Sequence, residues 1–563
     1  MKRKTLFISM VAWGASAMFS SLAACTNMIV GKKASADGSV MVSYNADSYG
    51  MYGDVYSHKG GVHAKGEMRK VYEWDTNKYL GEIPQAERTY NVVAQMNELQ
   101  VSITETTFGG RKELWDTDGK QIGSAELPFG IDYGSLIYIA LERSTSAREA
   151  IQVMTSLVEQ HGYCSEGETF SICDKNEAWV MELIGKGAGE KGAVWVAVRI
   201  PDDCVSGHAN QSRITRLSQF DKKQMLRSKD LISFARKKGY FSGKDADFSF
   251  RDAYAPNDFG AVRYCEARVW SLFNRCCDGM DQYVEYAKGN DQKGEMPLYM
   301  KPRHLIKVQE VMDAMRDHYE NTPFDIRNEL GAGPYNMPYR PTPLEFKVGD
   351  KTYFNERPIS TQQTSFSFVG QMRDQYPDAI GGIAWVTNDD PNMTPFVPLY
   401  CGISEVPRCF RRVEGKQDDA TFSWESAFWV QNTVSNMVYP YYDKMFPDVL
   451  RCRKHIETFV DSESQYAQRF KEILEKAGAE RLTAELTETS NTLSERMLSA
   501  WTDLFQYLVV KHLDMAVKKV DEQNPREFKR TAHGLVDSPI RPGYPEPFIK
   551  RVMEETGEKY LMK

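Results

Sequence analysis

The amino-acid sequence predicts an α+β protein of antiparallel strands and helices that ends in a mostly helical C-terminal extension. Three observations lead there. β-prone runs come in pairs around turn signals, and helical stretches separate those pairs. Beyond about residue 420 the spacing of the apolar residues changes to that of helices.

The first pair follows Cys25. Asn27–Val30 and Ser39–Tyr44 are β-prone and flank a polar segment that ends in Asp37-Gly38. Asp-Gly between two such runs signals a hairpin, because glycine accepts positive φ at little cost. A chain reversal near residues 36–38 carries Tyr44–Gly50 back beside Cys25, so Asp47 is expected next to it. Asn91–Met96 and Leu99–Thr104 bracket Asn97-Glu98 as a second pair. A third, Ala178–Ile184 and Ala193–Ile200, flanks GKGAGEKG, where Glu190 stands at the position that a dinucleotide fingerprint reserves for glycine. Ser146–Gln160 and Ser228–Lys238 read as helices, as does Phe459–Ala477. Leu493, Met497, Trp501, Leu504 and Leu508 form the apolar stripe of another. Pro539–Pro547 reads as an extended strap over the surface.

With 563 residues, 42% of them hydrophobic and 12% aromatic, the chain can build a large core, which argues against disorder. The 77 acidic and 70 basic side chains leave a formal charge of −7, without the basic imprint of a nucleic-acid binder. The ten cysteines include no C-x-x-C pair, and the nine histidines no H-E-x-x-H. Buried free thiols account for most of the cysteines, although Cys164/Cys173 and Cys401/Cys409 could pair locally. His208 reads as structural, and Asn388-Asp389-Asp390-Pro391 as a solvated turn rather than a calcium loop.

Residues 1–24 read as a signal peptide. Lys2, Arg3 and Lys4 precede an apolar run, and Ala23-Ala24 supplies the small residues of a cleavage site. Export to the periplasm or outside the cell is the expected localisation. Cleavage would make Cys25 N-terminal and place two reactive groups on one residue. The thiol (pKa about 8.5) can attack a carbonyl, and the α-amine (about 7.7–8.0) can serve as general base. Leu22-Ala23-Ala24-Cys25 also has the form of a lipobox, and lipidation would occupy the same thiol and anchor the protein to a membrane without catalysis. A lipoprotein cysteine is followed by a flexible tether, whereas strand-forming Met28-Ile29-Val30 follows this one.

The run CTNMIVGKKASADGS…NADS resembles the opening of the cysteine dipeptidase A family, among the N-terminal nucleophile hydrolases. Penicillin V acylase and bile salt hydrolase are more distant relatives. MNELQVSITET (96–106), AWVMELIGKG…WVAVRIPDD (178–203), HANQSRI (208–214), RVW (268–270) and VPLYCGISEVP (397–407) follow in the expected order. The resemblance implies an αββα sandwich over residues 25–410, with a helical extension over 411–563. It implies hydrolysis of dipeptides or short peptides through a thioester, with no cofactor. A homo-oligomer is left open.

Residue by residue, Cys25 matches the nucleophile and Asp47 the carboxylate that contacts its amine and thiol. Asn97 matches the oxyanion-hole position and Asn210 a second asparagine near the amine. Arg268 is the candidate for the supporting arginine, with Arg263 only five residues earlier. One departure stands out. Relatives carry arginine three residues before the aspartate, and this chain has Tyr44, which cannot lower the thiol pKa by charge but can shape the substrate pocket. An N-acyl amide of the penicillin or bile-salt type is the alternative substrate.

Overall fold

The computed structural model describes residues 25–115, 123–291, 293–340, 344–524 and 527–562, so the predicted leader lies outside the described residues. The fold is mixed α and β, with two large antiparallel sheets. One has seven strands in the order Tyr299–Met300, Val205–His208, Asn27–Val30, Val40–Asp47, Thr364–Met372, Ile383–Asn388 and Val397–Tyr400. The other has eight, running Met225–Arg227, Ala193–Ile200, Ala178–Gly185, Gly167–Cys173, Ser102–Gly109, Met96–Asn97, Val92–Val93 and Ser57–His58.

Period-2 alternation explains how the sheets stack. Along Ala178–Gly185, the side chains of Trp179, Met181 and Leu183 join a cluster with the helices Tyr133–Arg143 and Ala147–His161. Ala178, Val180 and Ile184 point the other way, into a core shared with Ile29, Val42 and Phe368 of the seven-stranded sheet. Ser146 caps the second helix by accepting from Glu149 N, and the helix runs one residue past its predicted end.

The opening hairpin forms with Ile29 opposite Val42 and Val30 opposite Met41. Its turn is held by Asp37, whose Oδ1 accepts from Ser35 Oγ, Ser39 Oγ and Ser39 N, and Gly38 takes φ 77°. The second strand runs to Asp47, past its predicted end at Tyr44, because Thr364–Met372 pairs along its whole length. The second predicted pair is broken up. Ala94 (φ 53°) and Gln100 (φ 66°) interrupt it, leaving Val92–Val93, Met96–Asn97 and Ser102–Gly109.

After residue 420 come the helices Ala427–Val438, Tyr442–Glu457 and Phe459–Lys511, the last interrupted at Gly478 (φ 83°), one residue after the predicted end of the first segment. Met497, Trp501, Leu504 and Leu508 are buried as the stripe predicts. These helices share the core of the seven-stranded sheet: Phe459, Ala467 and Phe470 pack with it, and Glu463 pairs with Arg373 and accepts from Tyr400. The proline-rich strap runs without helix over 539–545, and its last two residues open a helix, Glu546–Thr556, because proline is well tolerated in a first helical turn. One expectation fails. Asp389 and Asp390 are buried rather than solvated. Asp389 accepts from Asn432 and Ser435, while Asp390 accepts from Ser360 and Tyr439. All ten cysteines are free thiols in this structure, including both candidate pairs.

Candidate active site

Cys25 lies two residues before the first strand and sits where the two sheets face each other. Asn27 ties them together: its Nδ2 donates to Glu105 O at 2.7 Å, and its Oδ1 accepts from Thr104. His208 is a second tie, held 2.7 Å from both Thr106 Oγ1 and Ser171 Oγ, and burial pushes its pKa down to about 3. Thr26 pairs with Asn45 through mutual backbone hydrogen bonds, which brings Asp47 beside Cys25 as the hairpin predicts.

Arg268 holds the backbone of Cys25. It is 1% exposed and rises from the helix Ala267–Cys276, which the chain enters through a π-helical turn, Ala261–Glu266. Its guanidinium donates to Cys25 O (2.6 Å), Thr26 Oγ1 (2.7 Å), Ala209 O (2.9 Å), Asn210 Oδ1 (3.0 Å) and Tyr264 O (2.6 Å). Arg263, the neighbouring alternative, pairs with Glu356 instead. Asn210 (φ 66°) is turned toward Arg268 and donates from Nδ2 to Thr107 O at 2.8 Å. Asp47 accepts from Arg357 (2.5 Å) and Thr364 (2.6 Å). Burial still pushes the Asp47 carboxyl above its usual value, against the pull of Arg357.

The thiol lies 3.6 Å from the Tyr44 hydroxyl and 3.7 Å from Glu105 Oε1, and Tyr44 donates to that same oxygen at 2.5 Å. Burial, then the charges of Glu105 and Asp47, push the Cys25 pKa well above the ordinary thiol value, so the resting thiol is protonated. Tyr44 therefore joins the thiol to a carboxylate where the relatives implied by the resemblance carry a cation. Behind Glu105 stands Glu168. Register places Glu105 opposite Phe170 and Thr107 opposite Glu168, which makes the two glutamates diagonal neighbours on one sheet face.

The structure thus gathers Cys25, Tyr44, Asp47, Asn210 and Arg268, and leaves Asn97 elsewhere. Asn97 Oδ1 accepts from Leu99 N and Val101 N, and Nδ2 donates to Leu141 O and Ser144 O, both at 2.8 Å. Its amide is a clamp between a tight turn and the end of the helix Tyr133–Arg143, with no donor left for an oxyanion at Cys25. Sequence reasoning missed Glu105, Glu168 and Arg357. The first two carried a signal, a lone glutamate inside each of two strand-forming runs, ITET and ETFSIC. Arg357 lies in a segment without strand or helix and had none.

Cys25 lines a cavity of about 1070 Å³. Asp47, Asp54, Glu73, Asp75, Glu105 and Asp419 line it too, with the cations Arg69, Lys70 and Arg412, of which Arg69 pairs with Glu142 and Arg412 with Asp419. A second cavity of about 620 Å³ shares the walls Glu73, Asp75 and Tyr133 and reaches Glu168, Asn210 and Arg268.

The model of peptidase family C69 matches residues 24–455, a span that opens one residue before Cys25. The chain belongs to peptidase family C69. A probable dipeptidase of Salmonella dublin is 28% identical over 402 residues, covering 68% of this chain and 81% of that protein. A probable dipeptidase of Latilactobacillus sakei is 25% identical over 509 residues, covering 87% and 96%. Dipeptidase A of Lactobacillus helveticus is 23% identical over 432 residues, covering 73% and 81%. This C69 member is accordingly a peptide-bond hydrolase.

Proposed function

We propose that this C69 peptidase is an exported cysteine dipeptidase whose nucleophile is Cys25, exposed as the N-terminal residue when the leader is removed. The carrying observation is the placement of Cys25: its thiol faces a cavity large enough for a short peptide, while Arg268 and Thr26 hold its backbone. Two antiparallel sheets stacked between helices support membership of the N-terminal nucleophile hydrolases, with residues 25–410 as the catalytic unit and 411–563 as its extension. The names of the relatives support dipeptides as substrates.

In this mechanism the neutral α-amine of Cys25 takes the thiol proton as Sγ attacks the substrate carbonyl carbon. The tetrahedral oxyanion needs neutral donors, which backbone N–H groups around Cys25 would supply, since the Tyr44 hydroxyl proton is already given to Glu105. Collapse breaks the C–N bond, and the proton on the amine passes to the leaving nitrogen. Water then attacks the thioester, giving one proton to the α-amine; cleavage of the C–S bond returns it to sulfur. Each residue named comes from this chain, and no step calls for a cofactor.

The test combines a substrate panel with mass spectrometry of the mature protein. Dipeptides should turn over faster than N-acyl amides, the mature chain should begin at an unmodified Cys25, and Cys25→Ala should abolish turnover. A diacylglyceryl adduct on Cys25, or full turnover by the alanine variant, would defeat the reading.

A further inference from the structure

Glu105 is 3% exposed and opens on the cavity beside the nucleophile. Its Oε1 is used by Tyr44 and the thiol, but its Oε2 is buried without a hydrogen-bond partner, and so is Oε2 of Glu168 behind it. A buried carboxylate oxygen left unpaired is costly, so such a group marks a missing donor. The nearby cations are committed: Arg357 to Asp47, and Arg268 to the backbone of Cys25 and to Asn210. Asp75, bonded by Tyr133 at 3.1 Å, adds a further negative charge on the same side. The thiol therefore sits in a negative pocket that has no positive partner among the described residues within the contacts of Sγ.

A peptide with a free N-terminus carries such a partner. Its α-ammonium nitrogen is about 2.5 Å from its first carbonyl carbon, by standard bond lengths and angle. That carbon must come within about 3–3.5 Å of Sγ to react. Glu105 Oε1 stands 3.7 Å from Sγ, so its carboxylate lies within reach of the ammonium of a peptide poised for attack. We propose that Glu105 is the anchor for the substrate's α-ammonium, which selects peptides with a free N-terminus, directs cleavage to the bond after the first residue, and brings to the thiol the positive charge that Tyr44 cannot supply. This rests on the reading of Cys25 as the nucleophile.

The electrostatics agree with that geometry. Burial raises the Glu105 carboxyl to about 7 and Glu168 well above the usual carboxylate range. The pair accordingly keeps a proton to higher pH than free carboxyls, as is usual for neighbouring buried carboxyls. An arriving ammonium takes the place of that proton at Glu105. An N-acylated substrate brings no charge and leaves the pocket as it was.

The experiment pairs each dipeptide with its desamino analogue, which has the same carbonyl and no amine (alanyl against propionyl on one C-terminal residue). Wild-type enzyme should favour the dipeptide in kcat/KM. E105Q should shrink that preference by about 10- to 150-fold, the span of one charged hydrogen bond, while iodoacetamide still alkylates Cys25. An unchanged preference in an E105Q enzyme with a reactive Cys25 would overturn the proposal, and so would wild-type preference for the desamino series. Should E105Q fail to fold, wild type alone decides: its preference must fall as pH rises through the substrate amine pKa of about 8, and a constant preference overturns the anchor. Turnover that survives Cys25→Ala would refute the nucleophile instead, a separate outcome.

Discussion

Arg268→Lys tests the clamp on Cys25. The arginine serves five acceptors, three of them backbone carbonyls, from a side chain that is 1% exposed. Lysine keeps the charge but offers at most three donors from a single nitrogen, so at least two acceptors lose their partner. At about 1–3 kcal/mol for each buried group left unsatisfied, the variant should lose about 2–6 kcal/mol of stability. Domains hold only about 5–15 kcal/mol in total, so Arg268→Ala, which strips all five, should fail to accumulate as folded protein. Activity should fall too, because Cys25 O is among the released acceptors and a displacement near 1 Å costs about 100-fold in rate. Guanidinium unfolding followed by tryptophan fluorescence gives the first quantity, and kcat on a dipeptide below the transition gives the second. An Arg268→Lys enzyme within about twofold of wild type in kcat, with an unshifted unfolding midpoint, would refute the reasoning; the bounds follow from the ranges just used.

Asn97→Ala should cost about 2–6 kcal/mol through its four lost hydrogen bonds, yet leave kcat nearly unchanged where the enzyme is folded. Normal stability with a large loss of kcat would restore an oxyanion role to Asn97. Glu105, Glu182 and Asp389 are all raised by burial to about 7. A carboxyl raised on folding binds its proton more tightly in the native state, so it adds stability below the unfolded pKa (about 4.3 for Glu, 3.9 for Asp) that is lost as pH climbs through about 7. Wild-type stability should therefore decline between roughly pH 4 and 7 on account of these groups, and E182Q or D389N should flatten the curve; a slope identical to wild type in both variants counts against the assignment. Tyr44→Phe removes a donor that holds the Glu105 proton affinity down, so the acid limb of kcat/KM should move to higher pH, and a limb that stays put breaks the link between the two residues.

Much of this architecture is local in origin and could be read along the chain. Asp37-Gly38 between two β-prone runs specifies the first hairpin, and that hairpin alone places Asp47 beside Cys25. The helix Ala147–His161 follows from a serine cap and an apolar period, and the Met497–Leu508 stripe from period alone. The failures are equally physical. Asn97 sits in a turn as read, but which way an amide points depends on what packs over it, here the end of the helix Tyr133–Arg143. Asp389 and Asp390 look solvated until the C-terminal helices cover them.

Cys25 remains the residue on which the sequence by itself speaks most clearly, since the strand and the hairpin beside it follow from neighbours a few positions apart. What surrounds its thiol was decided by tertiary structure only. Tyr44, Glu105, Glu168, Arg268 and Arg357 come from different strands, a helix and a loop, hundreds of residues apart in part, and sheet register and burial alone bring them together. Charge and protonation depend on that assembly, because a carboxyl at the surface and the same carboxyl walled in beside a thiol are different acids.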